Sequence, residues 1–175
     1  MRVVDVPSLE RMYGKRVNGY ANLGYSVKCE GTDPDKLGVL FDQDSFLEVL
    51  KKDIAAAKRE VVIVSPFMMK SRVRQVASLL LPFKLNGGRV CVVTRPASDY
   101  KENQCEGIFV MIDDFRKSGF EVIEKSGIHQ KYVIVDQEIC WYGSLNLLSY
   151  GKNAQETMMR FVSRDVSEEL LEILA

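Results

Sequence analysis

Two stretches of this chain restrict its fold more than any other feature, because they offer no polar face. Val61-Val-Ile-Val is apolar at every position, and an extended strand points successive side chains to opposite sides. Such a run needs cover on both faces. Arg89 to Thr94 reads as a second buried strand of the same kind. Around them the period changes: after the capping cluster Asp42-Gln-Asp-Ser, the residues Phe46, Leu47, Leu50, Ile54 and Ala57 recur at helical spacing. Further helices are expected over about Lys70 to Pro82, Glu106 to Ser118 and Val166 to Leu174. Strands are expected at Val39–Phe41, Phe120–Glu124, Tyr132–Val135, Glu138–Tyr142 and Gln155–Ser163, and a polar loop from Arg95-Pro96 through Asn103. Strands alternating with helices predict an α/β fold, and the short hairpin through Gln137 makes its central β-sheet mixed.

The 175 residues suit one domain with a substantial core. Residues 1–37 are polar, glycine-bearing and weakly periodic, with Asn18-Gly19 as a hairpin turn, and read as an amino-terminal arm or linker ahead of a domain over 38–175. The 24 Lys and Arg balance the 24 Asp and Glu, so overall charge gives no general attraction to nucleic acid or to an anionic membrane. Any such binding is local. Basic residues gather at Lys51, Lys52, Lys58, Arg59, Lys70, Arg72 and Arg74, and the tail from Asp165 to Glu172 is acidic. Cys29, Cys91, Cys105 and Cys140 include no C-x-x-C pair and read as small core residues. With no disulfide framework or signal peptide, a reducing, cytoplasmic setting is expected. One histidine and four scattered cysteines show no ligand spacing, so no metal or cofactor is expected. No apolar run approaches the roughly 20 residues needed to cross a bilayer.

The chemistry concentrates between Ile128 and Asn146. His129, the single histidine of the chain, stands two residues from Lys131, a spacing that on a strand puts both side chains on one face. Imidazole can attack phosphorus or carry a proton near neutral pH, and an ammonium group can hold phosphate oxygens. Ser144 and Asn146, again two apart, add hydrogen-bond donors. Asp136 is counted with these as a candidate catalytic residue, although its place at a strand end suits it better to capping a turn. In open α/β sheets sites form at the carboxyl ends of strands, which makes Ser65, Arg95 and Gly143 candidate substrate-binding residues, with an ordinary strand-end turn as the favoured role for Ser65 and a surface ion pair as the alternative for Arg95. The set reads as a phosphoryl site.

The pattern H-x-K-x-x-x-x-D of His129, Lys131 and Asp136, continued by Gly143, Ser144 and Asn146 as G-S-x-N, resembles the HKD signature of the phospholipase D superfamily. The resemblance covers about Gly38 to the end of the chain. It implies a mixed central sheet with helices on both faces, an α/β/α sandwich, and a phosphodiesterase in which one histidine forms a phosphohistidine while a second protonates the leaving group. It also implies an acid near Glu156 that contacts the catalytic histidine, fixing its tautomer and supporting its protonated form. Only one HKD copy is present, so a homodimer sharing one site across a two-fold axis is expected. The resemblance then points to single-copy members, many of them metal-independent nucleases, and similar domains occur fused to helicases. Nucleic acid, DNA or RNA, is the expected substrate, delivered by a helicase-type domain or by the local basic cluster. Two alternatives stay open: a lipid phosphodiesterase or phosphatidyl transferase, and a non-catalytic nucleic-acid-binding or dimerisation module.

Overall fold

The computed structural model describes residues 38–151 and 155–174. The expectations for residues 1–37, including the Asn18-Gly19 turn and Cys29, lie outside them. Seven strands form one sheet in the order β1-β7-β6-β5-β2-β3-β4: β1 (Val39–Asp42), β2 (Glu60–Val64), β3 (Arg89–Thr94), β4 (Glu121–Glu124), β5 (Tyr132–Val135), β6 (Ile139–Gly143) and β7 (Thr157–Val162). β2, β3 and β4 run parallel. From β5 onward every pairing is antiparallel. The sheet is therefore mixed, and the sharp hairpin between β5 and β6 is the reason.

The uninterrupted apolar runs occupy the centre. Every residue of β2 and β5 is buried, as is β3 from Val90 onward. One face carries three helices, α1 (Phe46–Ala56), α2 (Lys70–Leu85) and α3 (Glu102–Lys117). Their buried stripes, Phe46, Leu50 and Ile54, then Val73, Val76 and Leu80, then Ile108, Ile112 and Phe115, pack on Val61, Ile63, Val92, Val133 and Trp141. The opposite face presents Val62, Val64, Val93, Ile134 and Cys140 to a single helix, α4 (Arg164–Glu172), through Leu170. Helices thus cover both faces, unequally. Burial pushes the Cys91 thiol up to about 11 and the Cys140 thiol to about 12, so both act as small apolar residues. Cys105, on the first turns of α3, is only half-buried, which departs from the core reading.

α3 begins at Glu102, inside the stretch read as loop. Its first turn is exposed and polar, so no apolar period marks it, and buried residues start only at Ile108. α2 continues past Pro82 to Leu85. A proline this close to a helix end removes one late hydrogen bond, and Gly88 N–H to Phe83 O at 3.1 Å closes the turn behind it.

Candidate active site

Strand direction gathers the candidate residues. The carboxyl ends of β2 and β3, the amino end of β5, the carboxyl end of β6 and the amino end of β7 open on one end of the sheet, as the register Val64–Tyr132–Tyr142–Met159 requires. Ser65, Arg95, His129, Lys131, Gly143, Ser144, Asn146 and Glu156 therefore share that end. Asp136, beyond the far end of β5, does not.

His129 is exposed on the irregular segment between β4 and β5. Its neighbour Ile128 is buried, and Arg95 donates to the Ile128 carbonyl from Nε at 3.0 Å and from Nη2 at 2.9 Å. Lys131 Nζ donates to the His129 carbonyl at 2.6 Å. One of its three N–H groups is used there, which leaves donors to hold an anion beside the imidazole. Tyr132 anchors the start of β5, its ring buried and its hydroxyl donating to Leu170 O at 2.8 Å.

The G-S-x-N turn is built against β7. A Cβ on Gly143 would lie 2.0 Å from the Thr157 carbonyl oxygen and 2.9 Å from Met158 Cα, so this strand pair closes only around a glycine. Gly143 is a close-approach residue and offers no side chain to a substrate. Ser144 N–H donates to Thr157 O at 3.0 Å, and Ser144 Oγ accepts from Thr157 N–H at 3.1 Å, while its hydroxyl proton stays available for donation. The Asn146 carbonyl accepts from the Ser149 and Tyr150 N–H groups, each at 2.9 Å. Asn146 Oδ1 is buried with no hydrogen-bond partner among the described residues, an arrangement that costs on the order of 1–3 kcal/mol. From behind, Arg72 grips the turn: its Nε donates to Tyr150 O at 3.0 Å, its Nη1 to Tyr150 Oη at 2.9 Å, and its guanidinium lies 3.6 Å over the ring.

Three candidates are engaged by the fold. Ser65 is fully buried and its hydroxyl accepts from Leu148 N–H at 3.2 Å, so it braces the Asn146 turn. Asp136 makes the structural contacts that its strand-end place suggested. Its Oδ1 accepts from Arg59 N–H at 2.8 Å and Glu60 N–H at 2.9 Å, and its Oδ2 from Lys58 N–H at 2.8 Å. Burial pushes its carboxyl up, but these backbone donors outweigh that and hold it below the usual carboxylate range. Arg95 has two donors committed to a backbone carbonyl, where a substrate contact was expected. Glu156 stands at the right end of β7, its N–H donating to Gln43 Oε1 at 3.3 Å, and within one chain its carboxylate makes no hydrogen bond to His129.

The basic cluster also divides. Lys58 and Arg59 sit beside Asp136 at the far end of the sheet, and Lys51 pairs with Glu48 at 2.7 Å. Lys70, Arg72 and Arg74 stand at the start of α2, in the segment that follows the carboxyl end of β2. Sequence reading counted Arg72 only within the basic cluster and did not pair it with Tyr150, which carried no local pattern. It also missed Asp53, buried and bonded to Trp141 Nε1 at 2.7 Å and Arg160 Nε at 2.8 Å. A carboxylate between Leu50 and Ile54 on an apolar stripe was a legible sign of a buried ion pair. No helix among the described residues is long and apolar enough to cross a membrane.

The family model "Cardiolipin synthase, PLD-like domain" matches residues 50–175, a span that takes in the whole of this sheet end. Among solved structures, NucT from Helicobacter pylori superposes with a TM-score of 0.61 at 18% identity, over 78% of this chain and 92% of that one. Nuc from Salmonella typhimurium, described as a phospholipase D family member, gives 0.60 at 18% identity, over 78% and 91%. The phosphatidylserine synthase of Haemophilus influenzae gives 0.53 at 12% identity, over 98% of this chain and 45% of the synthase. These structures share its fold. Comparison with curated protein sequences finds no match.

Proposed function

The chain belongs to the phospholipase D-like family, and from that premise we propose that it is a metal-independent nuclease whose site is completed by a second copy of itself. The observation that carries this reading is the sheet end itself. It collects one exposed imidazole, an ammonium group and the G-S-x-N turn, with no second histidine anywhere in the sequence. In the proposed reaction His129 attacks phosphorus, forming an N–P bond as the P–O bond to the leaving group breaks. The imidazole of the second copy gives its proton to that leaving oxygen and then takes one from the water that hydrolyses the phosphohistidine. Lys131, Ser144 and Asn146 hold the non-bridging oxygens, whose charge grows in the transition state. Glu156 orients an imidazole, across the dimer or within the chain.

Likeness supports nucleic acid over lipid. NucT and Nuc superpose with TM-scores of 0.61 and 0.60, against 0.53 for the phosphatidylserine synthase, and the single-copy members it resembles are commonly nucleases. A lipid phosphodiesterase is the second reading, favoured by the cardiolipin synthase description of the matching family and by Phe67 and Met69, exposed at the site end of the sheet. The test is incubation with labelled single-stranded DNA, duplex DNA, RNA and phospholipid vesicles, all with EDTA. Cleavage of a nucleic acid under chelation is expected. Turnover confined to the vesicles establishes the lipid reading instead, and strict dependence on added magnesium or manganese overturns the mechanism.

A further inference from the structure

We propose that Arg95 is a positioning residue for His129, fixing the loop that carries the imidazole and making no contact with substrate; this rests on the reading of His129 as the reacting group. His129 belongs to no regular element, because β4 ends at Glu124 and β5 begins at Tyr132. The sheet ladder therefore does not hold it. The segment is tied to the body of the protein first by Lys125, whose N–H donates to Thr94 O at 2.9 Å and Nζ to Leu174 O at 2.8 Å, and by Ser126 Oγ on Asp99 Oδ1 at 2.9 Å, then by the buried Ile128 side chain and by Arg95 on the Ile128 carbonyl at 3.0 and 2.9 Å. The side-chain contacts of the next residues are local: Gln130 Oε1 accepts from His129 N–H at 3.2 Å, and Lys131 Nζ reaches the His129 carbonyl. Ile128 is thus the last fixed point before the imidazole, and Arg95 is what fixes its carbonyl.

The clamp is itself braced. Arg95 Cζ stands 4.8 Å over the Phe67 ring, Phe67 meets Tyr100 edge-on at 6.3 Å, and the Tyr100 hydroxyl donates to Pro66 O at 2.8 Å. The segments beyond β2 and β3 and the His129 segment become one unit. Two N–H groups of a planar fork converge on one oxygen, a grip that a lysine ammonium cannot reproduce although it keeps the charge. A phosphate contact makes the opposite demand, for charge more than for the fork.

That contrast supplies the test. Arg95→Lys, Arg95→Ala and His129→Ala are compared with the wild type on bis(p-nitrophenyl) phosphate for kcat and KM, and by thermal melting. The imidazole resonance is followed by NMR, where a single histidine makes it unambiguous. Both Arg95 variants are expected to melt cooperatively, to lose about 10²-fold in kcat with KM unchanged, as a misplacement of about 1 Å does, and to show a shifted or broadened imidazole signal. Wild-type kcat in Arg95→Lys, or a change confined to KM, overturns the proposal in favour of a charge contact with substrate. An unchanged imidazole signal in both variants overturns it without reference to activity. Full activity in His129→Ala marks a different failure, that of the reacting group, and the spectra still report whether Arg95 holds the loop.

Discussion

His129 has two tasks in the proposed reaction, nucleophile in one copy and acid in the other, so its loss removes both. His129→Ala is expected to lower kcat by more than about 10⁴-fold and to leave the melting temperature unchanged, because the side chain is exposed. Steady-state turnover and a melt of the same preparation check it. Asn146 separates function from stability more sharply. Its Oδ1 is buried without a donor among the described residues, a cost that the proposed role of its amide would explain. Asn146→Ala is expected to lose about 10²- to 10³-fold in turnover, as removal of one transition-state donor does, while being no less stable than the wild type. A marked fall in its melting temperature would assign Asn146 to the fold instead.

At the scale of elements, the β5–β6 hairpin accounts for both ends of the HKD pattern. Its amino end presents Lys131 to the site; its tip is a three-residue turn, Asp136 to Glu138, with Asp136 at φ 54° and Gln137 at φ 58°, closed by Glu138 N–H on Val135 O at 3.0 Å. The Asp136 carboxylate reaches from this tip to three N–H groups that lead into β2. The signature aspartate therefore locks β5 against β2 and sets the register that delivers Lys131 to the opposite end. Asp136→Ala is expected to cost about 2–3 kcal/mol at neutral pH, from three lost charge-assisted bonds. Because the folded carboxyl lies below its ordinary value, this contribution is complete above the unfolded value of about 3.9 and disappears as pH falls through the folded one. Denaturant melts of both proteins across that range should converge in acid. A difference that persists at low pH would exclude the charge as its source.

For the whole molecule the issue is whether a site belongs to one chain or to two. Each chain carries one imidazole, and the proposed reaction uses two, so the proposed functional unit is the pair. In mixtures of wild type with His129→Ala, activity is expected to fall as the square of the wild-type fraction, since a mixed pair lacks one of its two imidazoles. A linear fall would mean that each chain works alone. Light scattering on the same samples establishes whether pairs are present.

The sheet's centre was readable from residues alone, because a strand buried on both faces must be apolar at every position, and Val61 to Val64 admit no other environment. His129, Lys131, Ser144 and Asn146 were readable as neighbours at one end of the sheet because their spacing is local. The partners of Ser65, Arg95 and Asp136 were not. Each depends on what stands opposite: the Leu148 N–H over Ser65 from 83 positions away, the Ile128 carbonyl against Arg95 from 33, and the Lys58 N–H before Asp136 from 78. The first turn of α3 was hidden because exposed polar residues leave no period. Periodicity records burial and a motif records local chemistry, whereas the partner of a polar side chain is set by strand order and register, and those exist only once the sheet has assembled.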